Sequence, residues 1–325
     1  MLVLSECNAL PAKVHKTPPQ EQDTAENKNV ILYSEKIIIG ELQMYHEIYP
    51  HKLDITYLVN QTSTSDDLVI QANDKNEVRV IEEGEDMRLP TVGEIKDEGL
   101  EINSERFLFA LDDKKVFWIQ SDIKEKTSIT YKSSRDLRYI KPQHLSYAAS
   151  VASSLIGWYK NNKFCSRCGS PTRHSDTERA LVCTDEDCKF TKYPTISPSV
   201  IVLIRNGNKA LLTKYALAHS SYNRYALVAG YVETSETPEE TVMREVKEEV
   251  GLKVKNIHYY KSQPWPLSGA LLLGFYCDLD GSDEVTLDTN ELSVGDWVSR
   301  EDMPDRSDDV SLTSELMEKF RTGKL

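Results

Sequence analysis

The sequence has no long apolar run. Its best uninterrupted stretches, Val200–Ile204 and Ala270–Phe275, are strand-sized, well short of the roughly 18 residues that a membrane-spanning helix needs. Positive charge is also scarce. Lys+Arg number 39 against 52 Asp+Glu, a formal net charge of -13, which excludes a broad, sequence-blind grip on nucleic-acid backbones. A local phosphate site stays open, because metal ions can supply the positive charge there. The N-terminus lacks a basic segment: Met1-Leu2-Val3-Leu4 runs at once into Glu6, unlike a signal peptide. Glu21, Asp23 and Glu26 likewise speak against a mitochondrial presequence. No internal repeat is visible. Cysteine is sparse and unevenly placed: Cys7, Cys165, Cys168, Cys183, Cys188 and Cys277, with four of the six inside 24 residues. Such clustering suggests metal before disulfide.

What is present suffices for two or three packed domains: 325 residues, 39% hydrophobic and 28% charged. Residues 1–29 are polar and read as an irregular arm. Residues 30–140 hold short apolar runs (Val30–Tyr33, Ile37–Ile39, Leu68–Ile70, Val78–Ile81, Phe107–Leu111, Val116–Ile119) separated by turn-like clusters such as Asp112-Asp113-Lys114-Lys115. This predicts a strand-rich first domain. Within 141–162, Leu145, Ala148, Ala149, Ala152, Leu155 and Ile156 recur at helical spacing and predict a connecting helix. Residues 163–194 carry the cysteines, and 195–325 alternate strands with one strong helix. The fold class expected is α/β (α+β).

Cys165-Ser-Arg-Cys168 and Cys183-Thr-Asp-Glu-Asp-Cys188 are two knuckle pairs. Each can aim two thiolates at one point, and together they complete a tetrahedral sulfur site suited to one structural Zn²⁺. Four thiolates leave no open position for water, so this site holds a fold together. His174 lies between the pairs and could compete as a ligand; a surface position is the plainer reading.

The densest chemistry lies between Gly230 and Leu252. Thr237 is a good N-cap, Pro238 fits the first helical position, and Glu240 completes a capping box. Gly251 is a natural stop. Val242, Met243, Val246 and Val250 are expected to form one apolar stripe. Glu245, Glu248 and Glu249 stand at i, i+3 and i+4, clustered on an adjacent face. Three like charges there repel unless hard cations sit among their oxygens, and Mg²⁺ or Mn²⁺ suits carboxylates together with substrate phosphates. The bland alternative is an acidic surface helix.

The full spacing is Gly230, five residues, Glu236, seven residues, then Arg244-Glu245-aliphatic-x-Glu248-Glu249-x-Gly251-aliphatic. It resembles the Nudix box at every fixed position. The resemblance implies a C-terminal Nudix α/β/α sandwich and hydrolysis of a nucleoside diphosphate linked to another group, with two or three Mg²⁺ or Mn²⁺ ions. It implies that Glu245 and Glu249 ligate metal with Glu248 as ligand or base helper, and that the Ala229 carbonyl and Glu291 add ligands. Glu236 and Arg244 are implied to hold the geometry between loop and helix, and the Gly230 loop to bend the chain toward the substrate.

Two further features are similar to the Nudix NADH pyrophosphatase family, whose members also remove NAD caps from RNA. A four-cysteine ribbon precedes Tyr193-Pro194-Thr195-Ile196-Ser197-Pro198, and Ser262-Gln263-Pro264-Trp265-Pro266 follows the box. After Pro266 this chain has Leu267-Ser268-Gly269-Ala270 where the family has Phe-Pro-x-Ser. The likeness is specific over about residues 160–300. It implies release of NMN(H) and AMP from NADH or NAD⁺, with Glu178, Tyr193, Tyr231, Gln263, Pro264, Trp265 and Pro266 on the substrate. It also implies a homodimer. Alternatives are a Nudix hydrolase of ADP-ribose or diadenosine polyphosphates, or a non-catalytic zinc-ribbon binding protein. Cytoplasm is the default location; Gly323-Lys324-Leu325 resembles the peroxisomal Ser-Lys-Leu address, with Gly in place of Ser.

Overall fold

The structure is a computed structural model and describes residues 44–325, except 85, 122–128, 217–223 and 306–309. The expected arm at 1–29 and the runs Val30–Tyr33 and Ile37–Ile39 lie outside the described residues.

The first part holds two sheets. One takes the order β1 (Leu53–Asp54), β5 (Ile102–Leu111), β6 (Lys114–Ser121), β2 (Leu68–Ile70); the other is β4 (Asp86–Arg88), β3 (Val78–Glu83), β7 (Ile129–Lys132). Strands β5 and β6 form a hairpin, and Asp112 takes the turn with φ 55°, a conformation that Asp tolerates better than most residues. Helix α1 (Val92–Asp97) starts on a Thr91–Glu94 capping box, and Arg88 grips the same Glu94 at 2.6 Å. Helix α2 (Gln143–Asn161) follows. Its Ala148, Ala149, Ala152 and Ile156 are buried against Leu108, Phe109 and Val116. The small residues let the helix lie close to the sheet.

The cysteine segment forms a three-stranded antiparallel sheet in the order β10 (Thr191–Lys192), β9 (Leu181–Cys183), β8 (Thr172–His174). Leu181 is buried in the same core as α2, so this small sheet is anchored on the first part of the chain.

The last part is one mixed sheet. Its order is β14 (Val254–Trp265), β15 (Ala270–Leu279), β11 (Ser197–Asn206), β12 (Lys209–Tyr215), β16 (Leu292–Ser299), with β13 (Val228–Tyr231) paired to β11. Strands β11 and β15 run parallel. Strand β11 alternates its faces: Val200, Val202 and Ile204 pack with helix α3 (Pro238–Val250), while Ile201 and Leu203 pack with helix α4 (Leu312–Arg321). That two-residue period makes the strand core on both sides, and the result is the expected α/β/α sandwich. Met44 is buried on the α4 side, so the start of the described chain belongs to this core.

One expectation fails on α3. Met243 is 47% exposed, and the buried face is Thr241, Val242, Glu245, Val246, Glu249 and Val250. Two rows at i+4 spacing, 242–246–250 and 241–245–249, share the inward side. The second row is polar, so a hydrophobicity stripe could not reveal it.

Candidate active site and zinc centre

Helix α3 is set locally as its sequence dictates. The Thr237 side chain accepts from Glu240 N, the Glu240 carboxylate accepts from Thr237 N at 2.8 Å, and Gly251 ends the helix at φ 74°. Strand β13 runs past its inner face. Gly230 is part of that strand, paired with Val200, and its φ is not left-handed. The expectation that Gly230 bends a loop is therefore corrected. The glycine is needed because a Cβ there would stand 2.0 Å from Glu245 Oε1.

Arg244 organises the entrance. Its Nε and Nη2 donate to the two oxygens of Glu236 at 2.6 and 2.9 Å, a bidentate fork. Nη1 donates to Glu245 Oε1 at 2.7 Å and Glu248 Oε2 at 3.0 Å, and Nη2 also reaches the Tyr231 carbonyl at 3.0 Å. One guanidinium thus ties the segment before the helix, the helix and β13 together. It also holds the Glu236 carboxyl down at about 2.

The three glutamates are unequal. Glu245 and Glu249 are buried and Glu248 is exposed. Glu249 is 4% exposed, and burial, followed by the charge of Glu245, pushes its carboxyl up to about 8. Burial raises Glu245 as well, against the pull of Arg244. Glu291 is exposed, and its charge adds to the upward push on both buried glutamates. Buried like-charged oxygens without a cation nearby are costly, and hard divalent ions suit such a donor set. The residues therefore fit hard divalent cations. Ala229 sits between Val228 and Gly230 on β13, and its N–H lies 3.4 Å from Glu249 Oε1.

Sequence reasoning missed Asp288. Its backbone N–H donates to the Glu249 carbonyl at 2.9 Å, and its charge also acts on Glu249. The available signal was Asp288-Thr-Asn290, an Asx turn in which Asn290 N donates to Asp288 Oδ1 at 2.9 Å.

The four cysteines meet. Cys165, Cys168, Cys183 and Cys188 have sulfurs all within 4.8 Å of one another, and among the described residues no other group of three or more His, Cys, Asp or Glu comes so close. Cys165 and Cys188 Sγ lie 3.8 Å apart and Cys168 and Cys183 Sγ 3.4 Å apart, and no disulfide forms. A tetrahedron with Zn–S near 2.3 Å puts its sulfurs about 3.8 Å apart, so the donor set and spacing fit zinc. Asp185 Oδ1 accepts from Cys188 N at 2.9 Å, shaping the second knuckle, and the Arg167 guanidinium lies 4.5 Å from the Phe190 ring across the two. The reading of His174 as a surface residue is corrected. It is half-buried, 4.6 Å from the Tyr159 ring, and burial pushes its imidazole down to about 4.

The residues expected on substrate do not all converge. Tyr193 donates to Glu178 Oε1 at 3.0 Å on the ribbon, and both are exposed. Tyr231 is 54% exposed at the end of β13, beside Arg244. Among the described residues no hydrogen bond joins these two groups. Gln263 is fully buried: its Nε2 donates to the Val310 carbonyl at 2.7 Å and its Oε1 accepts from Leu312 N at 2.8 Å. Its amide is committed to the start of α4, which corrects its placement on substrate. Pro264 and Trp265 are half-buried in β14, with Trp265 5.7 Å from the Tyr45 ring. Pro266 opens the turn to β15, where Gly269 takes φ 68°.

Residues 195–320 match the NUDIX domain family, and residues 160–189 match the NADH pyrophosphatase zinc ribbon domain. The chain is 35% identical over 188 residues to the NAD-capped RNA hydrolase NudC of Mannheimia succiniciproducens, covering 57% of this chain and 69% of that protein. The chain belongs to the Nudix hydrolases. Its branch is the one that carries the NADH pyrophosphatase zinc ribbon. A NAD-capped RNA hydrolase NudC of Enterobacter is 40% identical over 150 residues, 46% of this chain and 56% of that one. This Nudix chain thus spans about half the length of several relatives it matches. A crystal structure of a NUDIX hydrolase from Nitrosomonas europaea superposes with a TM-score of 0.42 at 23% identity, over 50% of this chain and 93% of that one.

Proposed function

We propose that this Nudix hydrolase cleaves the pyrophosphate of NADH or NAD⁺ to NMN(H) and AMP, and that it removes NAD caps from RNA 5′ ends. The observation that carries the reading is the buried Glu245–Glu249 pair, held against Gly230 and tied by Arg244 to Glu236, in a chain that is 35% identical over 188 residues to a NAD-capped RNA hydrolase and carries the NADH pyrophosphatase zinc ribbon.

Glu245, Glu249, Glu248, Glu291 and the Ala229 carbonyl would hold two or three Mg²⁺ or Mn²⁺ ions. Bound there, such ions would neutralise pyrophosphate charge and would lower the pKa of a bound water. Glu248 or Glu249 accepts the proton of the attacking water. The new oxygen–phosphorus bond forms as the anhydride bond breaks, and the second phosphate leaves. Arg244 keeps Glu245 and Glu248 oriented through its shared Nη1. Tyr231, exposed beside the box, offers a face for stacking a flat ring. Cys165, Cys168, Cys183 and Cys188 would hold one structural zinc. A homodimer is supported by the large apolar side chains left exposed at Phe164, Tyr193 and Ile196. The location stays cytoplasmic by default, with Gly323-Lys324-Leu325 as a peroxisomal address to test.

The test is a product assay with NADH, NAD⁺, ADP-ribose and NAD-capped RNA, each with Mg²⁺, Mn²⁺ or neither. Metal-dependent release of NMNH and AMP, abolished in Glu249→Gln, is expected. Turnover of ADP-ribose alone would keep the catalytic helix and move the assignment to another Nudix substrate.

A further inference from the structure

Away from the Nudix helix, the first sheet and the ribbon enclose a cavity of about 480 Å³, within the range of small-molecule sites. One wall is cationic. The Arg106 side chain, on β5, makes no hydrogen bond or ion pair among the described residues, although it is only partly exposed. Arg173 enters from β8 and pairs at 3.0 Å with Asp176, itself 83% exposed by side chain, a partner that solvent already screens. His174 Nδ1 is buried with no hydrogen-bond partner among the described residues. Glu105 also lines the cavity, but its two oxygens are taken by Ser63 N and Ser63 Oγ. Leu58 and Val59 line the cavity with exposed aliphatic side chains, 44% and 38% exposed, while the Phe107 ring next to Arg106 turns into the core on the other face of β5.

A guanidinium and an imidazole nitrogen without partners, beside exposed aliphatic side chains, suit an anion attached to a flat, weakly polar body. We propose that this cavity binds a nucleoside monophosphate, with its phosphate on Arg106, Arg173 and the His174 Nδ1 and its base along Leu58 and Val59. The phosphate supplies acceptors for a guanidinium that has none and for a buried imidazole nitrogen that has none. The site is separate from the carboxylate helix and needs no divalent cation.

Isothermal titration of the zinc-loaded full chain, with no Mg²⁺ or Mn²⁺ added, tests this with AMP, adenosine and inorganic phosphate. One saturable AMP site is expected, with phosphate weaker and adenosine without measurable binding. Arg106→Gln should weaken AMP by about tenfold or more, and Arg173→Gln by less. Glu249→Gln, which alters the catalytic helix, should leave AMP binding unchanged, and a melting curve checks that each variant is folded. AMP binding that ignores both arginine variants, or that disappears with Glu249→Gln, overturns the proposal. Equal affinity for AMP and phosphate overturns the nucleotide assignment.

Discussion

The Glu245 carboxylate rests on the bare Cα of Gly230, where a Cβ would come within 2.0 Å of its Cδ and Oε1. Strand and helix are both fixed: β13 by its pairing to β11, α3 by its Val242–Val246–Val250 row. The flexible partner is therefore the carboxylate itself. Gly230→Ala should turn Glu245 out of place and strip the 2.7 Å bond from Arg244. A misplacement of about 1 Å can cost around a hundredfold in rate, so kcat should fall by about that factor. Circular dichroism and zinc content should stay as in the parent. Unchanged turnover would show that Glu245 has another productive position.

The burial of Gln263 separates two roles that a sequence motif cannot. Its amide makes two bonds to the α4 start, at 2.7 and 2.8 Å, inside the core. Leaving such groups unpaired costs roughly 1–3 kcal/mol. Gln263→Ala should lower the melting temperature while KM for NADH moves little. A rise in KM with an unchanged melting temperature would return Gln263 to the substrate.

Local chemistry was legible in the sequence; long-range contact was not. The capping box, the Gly251 stop and the two knuckles depend on residues a few positions apart, and each stands where its spacing places it. The inward row Thr241–Glu245–Glu249 was invisible because polar side chains carry no hydrophobic signal, although their burial defines the site. The requirement for Gly230 comes from a residue fifteen positions away, and the requirement for Gln263 from residues 310 and 312. Met44 in the core beside α4, and Leu181 in the core beside α2, show the same limit: the sequence does not print which strand a distant side chain will meet.

Glu249 gives the site a pH signature. Burial raises its carboxyl from 4.5 to about 8. A carboxyl raised on folding binds its proton more tightly in the folded chain, so its contribution to stability is present below about pH 4.5 and lost as pH rises through about 8. Without Mg²⁺ or Mn²⁺, the melting temperature should therefore fall across that window. An added divalent cation binds the ionised form, so its stabilisation should grow toward pH 8–9, with proton release on binding. Glu249→Gln should flatten both trends. Melting curves that run parallel with pH in parent and variant would place the titration elsewhere.

Zinc should act on structure before chemistry. The thiol quartet is closed, and its small sheet donates Leu181 to the core beneath α2. With the metal removed, four thiols within 4.8 Å lose their common partner, and backbone turns such as Cys165 N to the Ser170 carbonyl at 2.8 Å no longer have a fixed anchor. Cys168→Ser should reduce bound zinc, read by elemental analysis as one equivalent per chain in the parent, and lower the melting temperature by several degrees. The Nudix sheet has its own core on both faces. Residual pyrophosphatase activity should therefore survive at low temperature in proportion to the folded fraction, with its Mg²⁺ dependence unchanged. A fully folded Cys168→Ser chain without zinc and without activity would instead put the ribbon directly on the substrate, through the Glu178–Tyr193 pair it carries.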